Sequence, residues 1–348
     1  MPVRLLSLCF ALAIVLPAIA QDERESSTLE KLDPRRIPAA SKPKKLPDEV
    51  LAVLDETQGR MDCLAFRPDG KFMAVSGPEG IVRLYDLATL KSPSSMQHNE
   101  ILCLAFSPNG KLLAAGDSKG NLRLWNVSSV SKPALVGDWS GHRNGPVWSL
   151  AFAPDGETLA SGGADHEIKL WNLSGGKQEL KSTLSGHQHT IRSLAFSPDG
   201  KLLASAGFRD NTVKLWELPA GKVKHSLEMK GAATAVSFSP NGKMLLTGDM
   251  AKFARVWKLD GDKPFESLRI DMNGGVAQAG FTADGKAVVG LVKFDFDEDK
   301  IVVWGLDQNK RYESMFARHI EAMAPATDAR HVALVTEMHS TWILRLPE

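Results

Sequence analysis

Short apolar runs, interleaved with small residues and broken by polar turns, recur along this chain around one motif. Its clearest copy is Ser193-Leu194-Ala195-Phe196-Ser197-Pro198-Asp199-Gly200-Lys201-Leu202-Leu203-Ala204-Ser205. Close copies end at Ser76, Gly116, Gly162 and Gly248, and two worn ones end at Gly290 and Val335. In the close copies the turn carries a Pro, which fixes φ, and a Gly, which permits a positive φ, so each copy predicts a β-hairpin. The hairpin strands are apolar or small on both faces, as at 194–196 and 202–206. A sheet of that kind must be sandwiched between neighbours to hide both sides.

The turn residues Asp69, Asn109, Asp155, Asp199, Asn241, Asp284 and Asp328 are spaced by 40, 46, 44, 42, 43 and 44 residues. A period in the forties belongs to a propeller or a helical array, and the hairpin pattern selects the propeller. Downstream of each turn a third apolar strand closes on an aromatic slot, filled by Tyr85, Trp125, Trp171, Trp216, Trp257 and Trp304, with Leu344 in the seventh copy. The interval from turn to slot is 16 residues in five copies, 17 in the fourth and 20 in the sixth. The connecting segments offer a fourth strand. These observations predict an all-β, seven-bladed β-propeller of four-stranded antiparallel blades over residues 48–348. An open ring would leave two unpaired edges. The run 49–54 has no blade of its own, and the last copy finishes three strands at Leu346, so 49–54 is expected to pair with the outer edge of the last blade.

The repeats resemble the WD-repeat family. Gly141-His142 and Gly186-His187 match its Gly-His signature, each His 29 residues before its Trp, and the closing pair is Trp-Asn twice, Trp-Glu once and Tyr-Asp once. The resemblance implies closure of the ring by the N-terminal strand. It also implies a structural network from loop His through turn Asp and strand Ser to Trp: His142, Asp165, Ser161 and Trp171, then His187, Asp210, Ser205 and Trp216. Ser, His and Asp together suggest a hydrolase triad, but repetition at matching offsets favours satisfied structural hydrogen bonds.

Composition adds limits. A formal charge of +1 gives no electrostatic case for a nucleic-acid partner. The N-terminus, with Arg4, an apolar stretch from Leu5 to Leu16 and small Ala18 and Ala20, predicts a secretory signal over 1–20. The rival is an uncleaved anchor, for which the stretch is short. After cleavage no membrane span is expected, and the protein would be secreted or periplasmic. Residues 21–47, with Pro34, Pro38, Pro43, Pro47 and many charges, predict a flexible leader. Cys63 and Cys103 occupy equivalent strands of neighbouring repeats, too far apart for a bridge, and predict two buried thiols.

Chemistry is sparse. Gly116-Asp117-Ser118-Lys119-Gly120 spells G-x-S-x-G, but it links two strands where a nucleophilic serine needs a strand-to-helix turn. Asp295, Asp297 and Asp299 in the sixth repeat's turn could gather around calcium; an acidic, solvated loop is the plainer reading. No zinc spacing or phosphate-cradling loop appears, and no cofactor is implied. Where repeats differ while the frame stays constant, four residues before the hairpin Phe, the chain carries Asp62, Leu102, Trp148, Arg192, Thr234, Ala277 and Glu321. In the family this position resembles a rim site, and nearby turns add His166, Phe208 and Arg209. Trp and Arg are enriched in binding hot spots, so Trp148, Arg192, Phe208 and Arg209 are the candidate partner-binding patch. The expectation is a noncatalytic platform for another protein or peptide. The alternatives are an enzyme or small-ligand binder using Ser149, Ser193, Thr234 and Gln278 in the central channel, and a sensor lobe for a separate enzyme.

Overall fold

The computed structural model describes residues 50–55, 63–77, 80–143, 145–294, 299–307, 310–315, 320–336 and 340–346. The predicted signal (1–20) and leader (21–47) lie outside them. The described residues form 28 strands in seven four-stranded antiparallel sheets, with no α-helix among them. The first strands of the blades are β2 (Leu64–Phe66), β6 (Ile101–Phe106), β10 (Val147–Phe152), β14 (Ile191–Phe196), β18 (Ala233–Phe238), β22 (Gly275–Phe281) and β26 (Ile320–Pro325). Each neighbours the first strand of the next blade, and β26 returns to β2, so the inner strands close a ring.

The repeat frame is a register frame. Trp171 pairs with Leu159, Trp216 with Leu203 and Trp257 with Leu245. In the longer sixth repeat Trp304 pairs with Val288, and in the seventh Leu344 pairs with Val332. The extra residues of the fourth and sixth repeats are therefore absorbed in turns, leaving the slot in place. The hairpin turns explain their own residues. In the fourth blade Ser197 Oγ donates to Asp199 Oδ1 at 2.6 Å, and the same carboxylate oxygen accepts from Lys201 N at 3.0 Å. Gly200 has φ +71°, where L side chains are strained.

The core lies between blades. Ala151, Ala160, Ile168 and Leu170 of the third blade form one buried cluster with Ile191, Leu194, Phe196, Leu203 and Trp216 of the fourth. Equivalent clusters join each neighbouring pair, including the seventh blade to the first through Val335, Ile343, Leu64 and Phe66. Cys63 and Cys103 are buried thiols, not joined in a disulfide.

Polar struts join the inner strands as well. Ser149 Oγ accepts from Leu194 N at 3.0 Å, Ser193 Oγ from Val236 N at 3.2 Å and Gln278 Oε1 from Met323 N at 2.6 Å. Thr234 Oγ1 donates to Val276 O at 2.5 Å and Cys103 Sγ to Val147 O at 3.4 Å. Ser149, Ser193, Thr234 and Gln278 are all buried, so the polar groups that a channel site would need are engaged blade to blade. They satisfy backbone groups of the next blade, which burial would otherwise leave at a cost of about 1–3 kcal/mol each.

Closure follows the expectation, with bounds shifted by one residue. Strand β1 (Val50–Asp55) pairs antiparallel with β28 (Ser340–Arg345), the outermost strand contributed by the last repeat, from Val50 opposite Leu344 to Asp55 opposite Ser340. The last blade thus takes one strand from the start of the described fold and three from its end. Deleting residues 50–55 exposes that edge and is expected to lower the thermal midpoint by more than about 5 °C; differential scanning calorimetry showing an unchanged midpoint would contradict the closure.

Candidate functional site

Two blades carry complete polar tetrads. In the third, His142 Nδ1 lies 2.7 Å from Asp165 Oδ1, His142 Nε2 lies 2.7 Å from Ser161 Oγ, and Trp171 Nε1 donates to Ser161 Oγ at 2.8 Å. The fourth repeats this with His187, Asp210, Ser205 and Trp216, at 2.7, 2.6 and 2.8 Å. The indole N–H can only donate, so it gives its proton to the serine oxygen; the carboxylate can only accept, so His Nδ1–H donates to Asp, and a neutral imidazole then accepts the serine hydroxyl at Nε2. The distances are those of a hydrolytic triad. The serine hydroxyls, however, are wholly buried and already bonded on both sides, so no substrate carbonyl can reach them. Burial alone would raise the carboxyl pKa of Asp210, but the hydrogen bond and charge of His187 and the N–H groups of Gln188 and Thr212 outweigh it and hold the pKa at about 2. Asp165 is likewise lowered, burial opposing and His142 prevailing.

The imidazole fits because Gly163 and Gly207 have no side chain: a Cβ there would stand 2.5 Å from His142 Nδ1 and 2.4 Å from His187 Nδ1. Two other blades place Asp at this register position and build different networks. Asp249 forms a buried ion pair with Arg255, Nη1 to Oδ2 at 2.5 Å. Asp117 accepts from Lys119 N, Asn121 N and the Asn99 and Asn121 side chains. The spacing-based reading missed both, although Asp for Gly at the strand end was visible on aligning the repeats. It also missed His98, which is 4% exposed, stands edge-on to Trp125 and has neither ring nitrogen hydrogen-bonded among the described residues. Burial, helped by the Arg123 charge and opposed by Asp117 and Asp138, lowers its pKa to about 4.

The rim residues stand where the inner strands bulge. Pairing with the second strand slips at Leu102, Trp148, Arg192, Thr234, Ala277 and Glu321, and a bulge of this kind re-aims its side chain. Asp62 lies outside the described residues. The row is not uniformly exposed, as a rim row would be: Leu102, Thr234 and Ala277 are buried, and Arg192 and Glu321 are each 8% exposed. Three of the four patch residues do come together. The Arg192 guanidinium lies 3.9 Å from the Trp148 ring centroid and 4.8 Å from that of Phe208. Both rings are half-buried, and Arg209 on the same turn as Phe208 is exposed. His166 and His189, the second of which the sequence reading did not single out, stack beside them with centroids 5.6 Å apart.

The remaining candidates have structural surroundings. The segment 116–120 joins β7 (Leu112–Asp117) to β8 (Asn121–Asn126), with no helix after it. Asp299 corrects the expectation of a solvated loop: it is buried, with its carboxylate 2.7 Å from Lys293 Nζ and accepting from Ile320 N at 2.6 Å. A carboxylate tied across two blades in this way is poorly placed to gather a cation. Asp295 and Asp297 lie outside the described residues, and among the described residues no cluster could hold a metal.

A family model described as WD domain, G-beta repeat matches residues 49–86, 90–126, 133–172, 178–217 and 221–258. Each of the later spans runs from the outer strand of one blade through the third strand of the next; 133–172 holds β9 (Ala134–Ser140) to β12 (Ile168–Asn172). Small ribosomal subunit protein RACK1z of Arabidopsis thaliana is 33% identical over 94 residues, 27% of this chain and 28% of the relative. Small ribosomal subunit protein RACK1 of Medicago sativa is 30% identical over 123 residues, 35% of this chain and 37% of the relative. Nuclear distribution protein nudF of Aspergillus niger is 30% identical over 87 residues, 25% of this chain and 20% of the relative. The chain spans between 20% and 37% of the length of these relatives.

Two measurements check these networks. Trp171→Ala is expected to cost about 3–5 kcal/mol in denaturant unfolding, and Ser161→Ala about 1–3 kcal/mol because it strands two buried polar groups; a neutral Ser161→Ala would refute the tetrad. The folded-state pKa of His98 lies below its ordinary 6.5, so the unfolded chain binds the extra proton and stability falls on acidification from 6.5 towards about 4. Between about pH 7 and about pH 5 the loss from this group is about 2 kcal/mol, and His98→Phe is expected to remove it from the pH profile of unfolding.

Proposed function

The chain belongs to the WD-domain, G-beta-repeat family, and from that membership we propose that it is a noncatalytic platform, exported from the cytoplasm, that holds another protein or peptide at the rim of its third and fourth blades. The observation that carries this is the Arg192 guanidinium in contact with both the Trp148 and Phe208 rings where the inner strand bulges, with Arg209 exposed on the turn that carries Phe208. Large rings and a guanidinium held in fixed positions lose little side-chain entropy on contact, and such residues dominate binding energies. The noncatalytic part is supported by the buried, doubly bonded hydroxyls of the tetrads and by the use of the inner-ring polar groups as struts. Relatives named for the small ribosomal subunit favour a role inside a larger assembly. Export rests on the N-terminal pattern of Arg4, the apolar stretch and Ala18-x-Ala20; among the described residues no helix is long and apolar enough to cross a membrane.

Affinity capture from the native exported compartment, using the chain beginning at Gln21, tests the proposal. Wild type is expected to retain a defined partner, and Trp148→Ala and Arg192→Glu each to reduce recovery by about tenfold or more while keeping the cooperative unfolding transition. Identical partner sets from wild type and both variants would remove the patch.

A further inference from the structure

The rim cluster has a charge character that says more than that it is sticky. Four basic side chains converge there from two blades: Arg192 on β14, Arg209 on the turn before β16 (Thr212–Glu217), His189 on the loop before β14, and His166 on the turn before β12. The stacked histidines are in contact, and the charges of Arg209, His166 and Arg192 all act on His189. The whole chain carries only +1, so this concentration is local.

Nearby acids are already committed. Asp165 is held by His142 and Glu167 N, and Asp210 by His187, Gln188 N and Thr212. Glu167 stands 3.5 Å from Lys169 Nζ. Among the described residues no carboxylate lies within 4.0 Å of Arg209, His166 or His189. His189 Nδ1 is moreover buried without a hydrogen-bond partner among the described residues, and His166 is held exposed at φ +69°, an uncommon conformation for a residue with a side chain.

We propose that this cluster reads acidic peptide segments, taking Asp or Glu side chains against Arg209, His189 and His166, with an adjoining apolar residue laid on the exposed parts of Trp148 and Phe208. The proposal rests on the platform reading and names the chemistry of its partner. Charge complementarity selects the occupant: Arg209, His189 and His166, crowded together with no carboxylate of the described residues paired to them, gain from a carboxylate, which accepts charge-assisted hydrogen bonds from guanidinium and imidazolium. His189 is faced by Arg192 on the strand that follows its loop, Arg209 and Asp210 on the neighbouring turn and His166 from the third blade, three cationic or cationisable groups against one acid already bound to His187. Burial and the neighbouring cations hold the His189 pKa below its ordinary 6.5, so a bound anion favours its protonation and binding should tighten as pH falls below about 6.5.

The experiment is fluorescence anisotropy on the full chain from Gln21, with a labelled peptide of alternating Glu and Phe and a matched peptide of alternating Lys and Phe. The Glu peptide is expected to bind and the Lys peptide not to bind. Arg209→Glu, at an exposed position that leaves the core untouched, should weaken the Glu peptide about tenfold or more, and binding should be several-fold tighter at about pH 5 than at about pH 7, a difference reduced in His189→Asn. Equal binding of the two peptides, or an Arg209→Glu variant that binds the Glu peptide like wild type, overturns the proposal. Displacement of the Glu peptide by inorganic phosphate, beyond that by chloride at equal ionic strength, also overturns it by assigning the site to a phosphoryl group. If capture depends on Trp148 and Arg192 while the Glu peptide fails to bind, the acidic assignment alone falls. Binding of the Glu peptide with capture indifferent to those residues would instead leave the anion site standing and remove the patch as the place where the platform's partner docks.

Discussion

Every blade of this protein is apolar on both faces, and that one constraint governs the rest. A sheet such as Thr158–Gly163 with its neighbours cannot exist beside water on either side, so stability belongs to the interfaces and not to the blades. A closed ring gives every sheet two neighbours. Its integrity then depends on the one blade assembled from both parts of the fold, where β1 lies against β28. The staggered family match expresses the same logic along the chain, since each sequence repeat bridges two blades and binds them covalently.

Within that ring the polar side chains are placed where apolar packing leaves backbone groups unpaired. The struts from Ser149, Ser193 and Gln278 repeat one contact at one frame position, each reaching the N–H of the following blade. The tetrads do the same for the third and fourth blades at larger scale, using a glycine to admit an imidazole. Where the glycine becomes Asp117 or Asp249, the site is refilled by other groups. A Ser–His–Asp arrangement can thus arise from the need to satisfy a buried indole N–H.

Much of the fold was legible because it is written in repetition. Seven turns, seven slots and a spare N-terminal strand suffice to set the blades, and the worn copies near Asp284 and Asp328 fell into line because register tolerates lost signature residues. The sites were less legible. A bulge is a slip in pairing between two strands and leaves no mark in either alone, so the depth of Arg192 and the concealment of Thr234 and Ala277 could not be read from spacing. Polar residues on inner strands look like channel lining until the neighbouring strand is in place. Asp299 looked solvated because its partners, Lys293 and the backbone of Ile320, come from the far side of its turn and from the next blade. His189 carried no signal beyond its nearness to His187.

The two complete tetrads occupy adjacent blades, and those blades are the ones that frame the Arg192 stack. Whatever docks there meets a stiff surface whose loops are already tied down by His142 and His187. Recognition on such ground resembles a key meeting a finished lock: little ordering entropy is left to lose on contact, and the backbone need shift by no more than about 1 Å. Selectivity then resides in how slowly a well-matched guest departs, and a poor match cannot be rescued by the host remoulding itself.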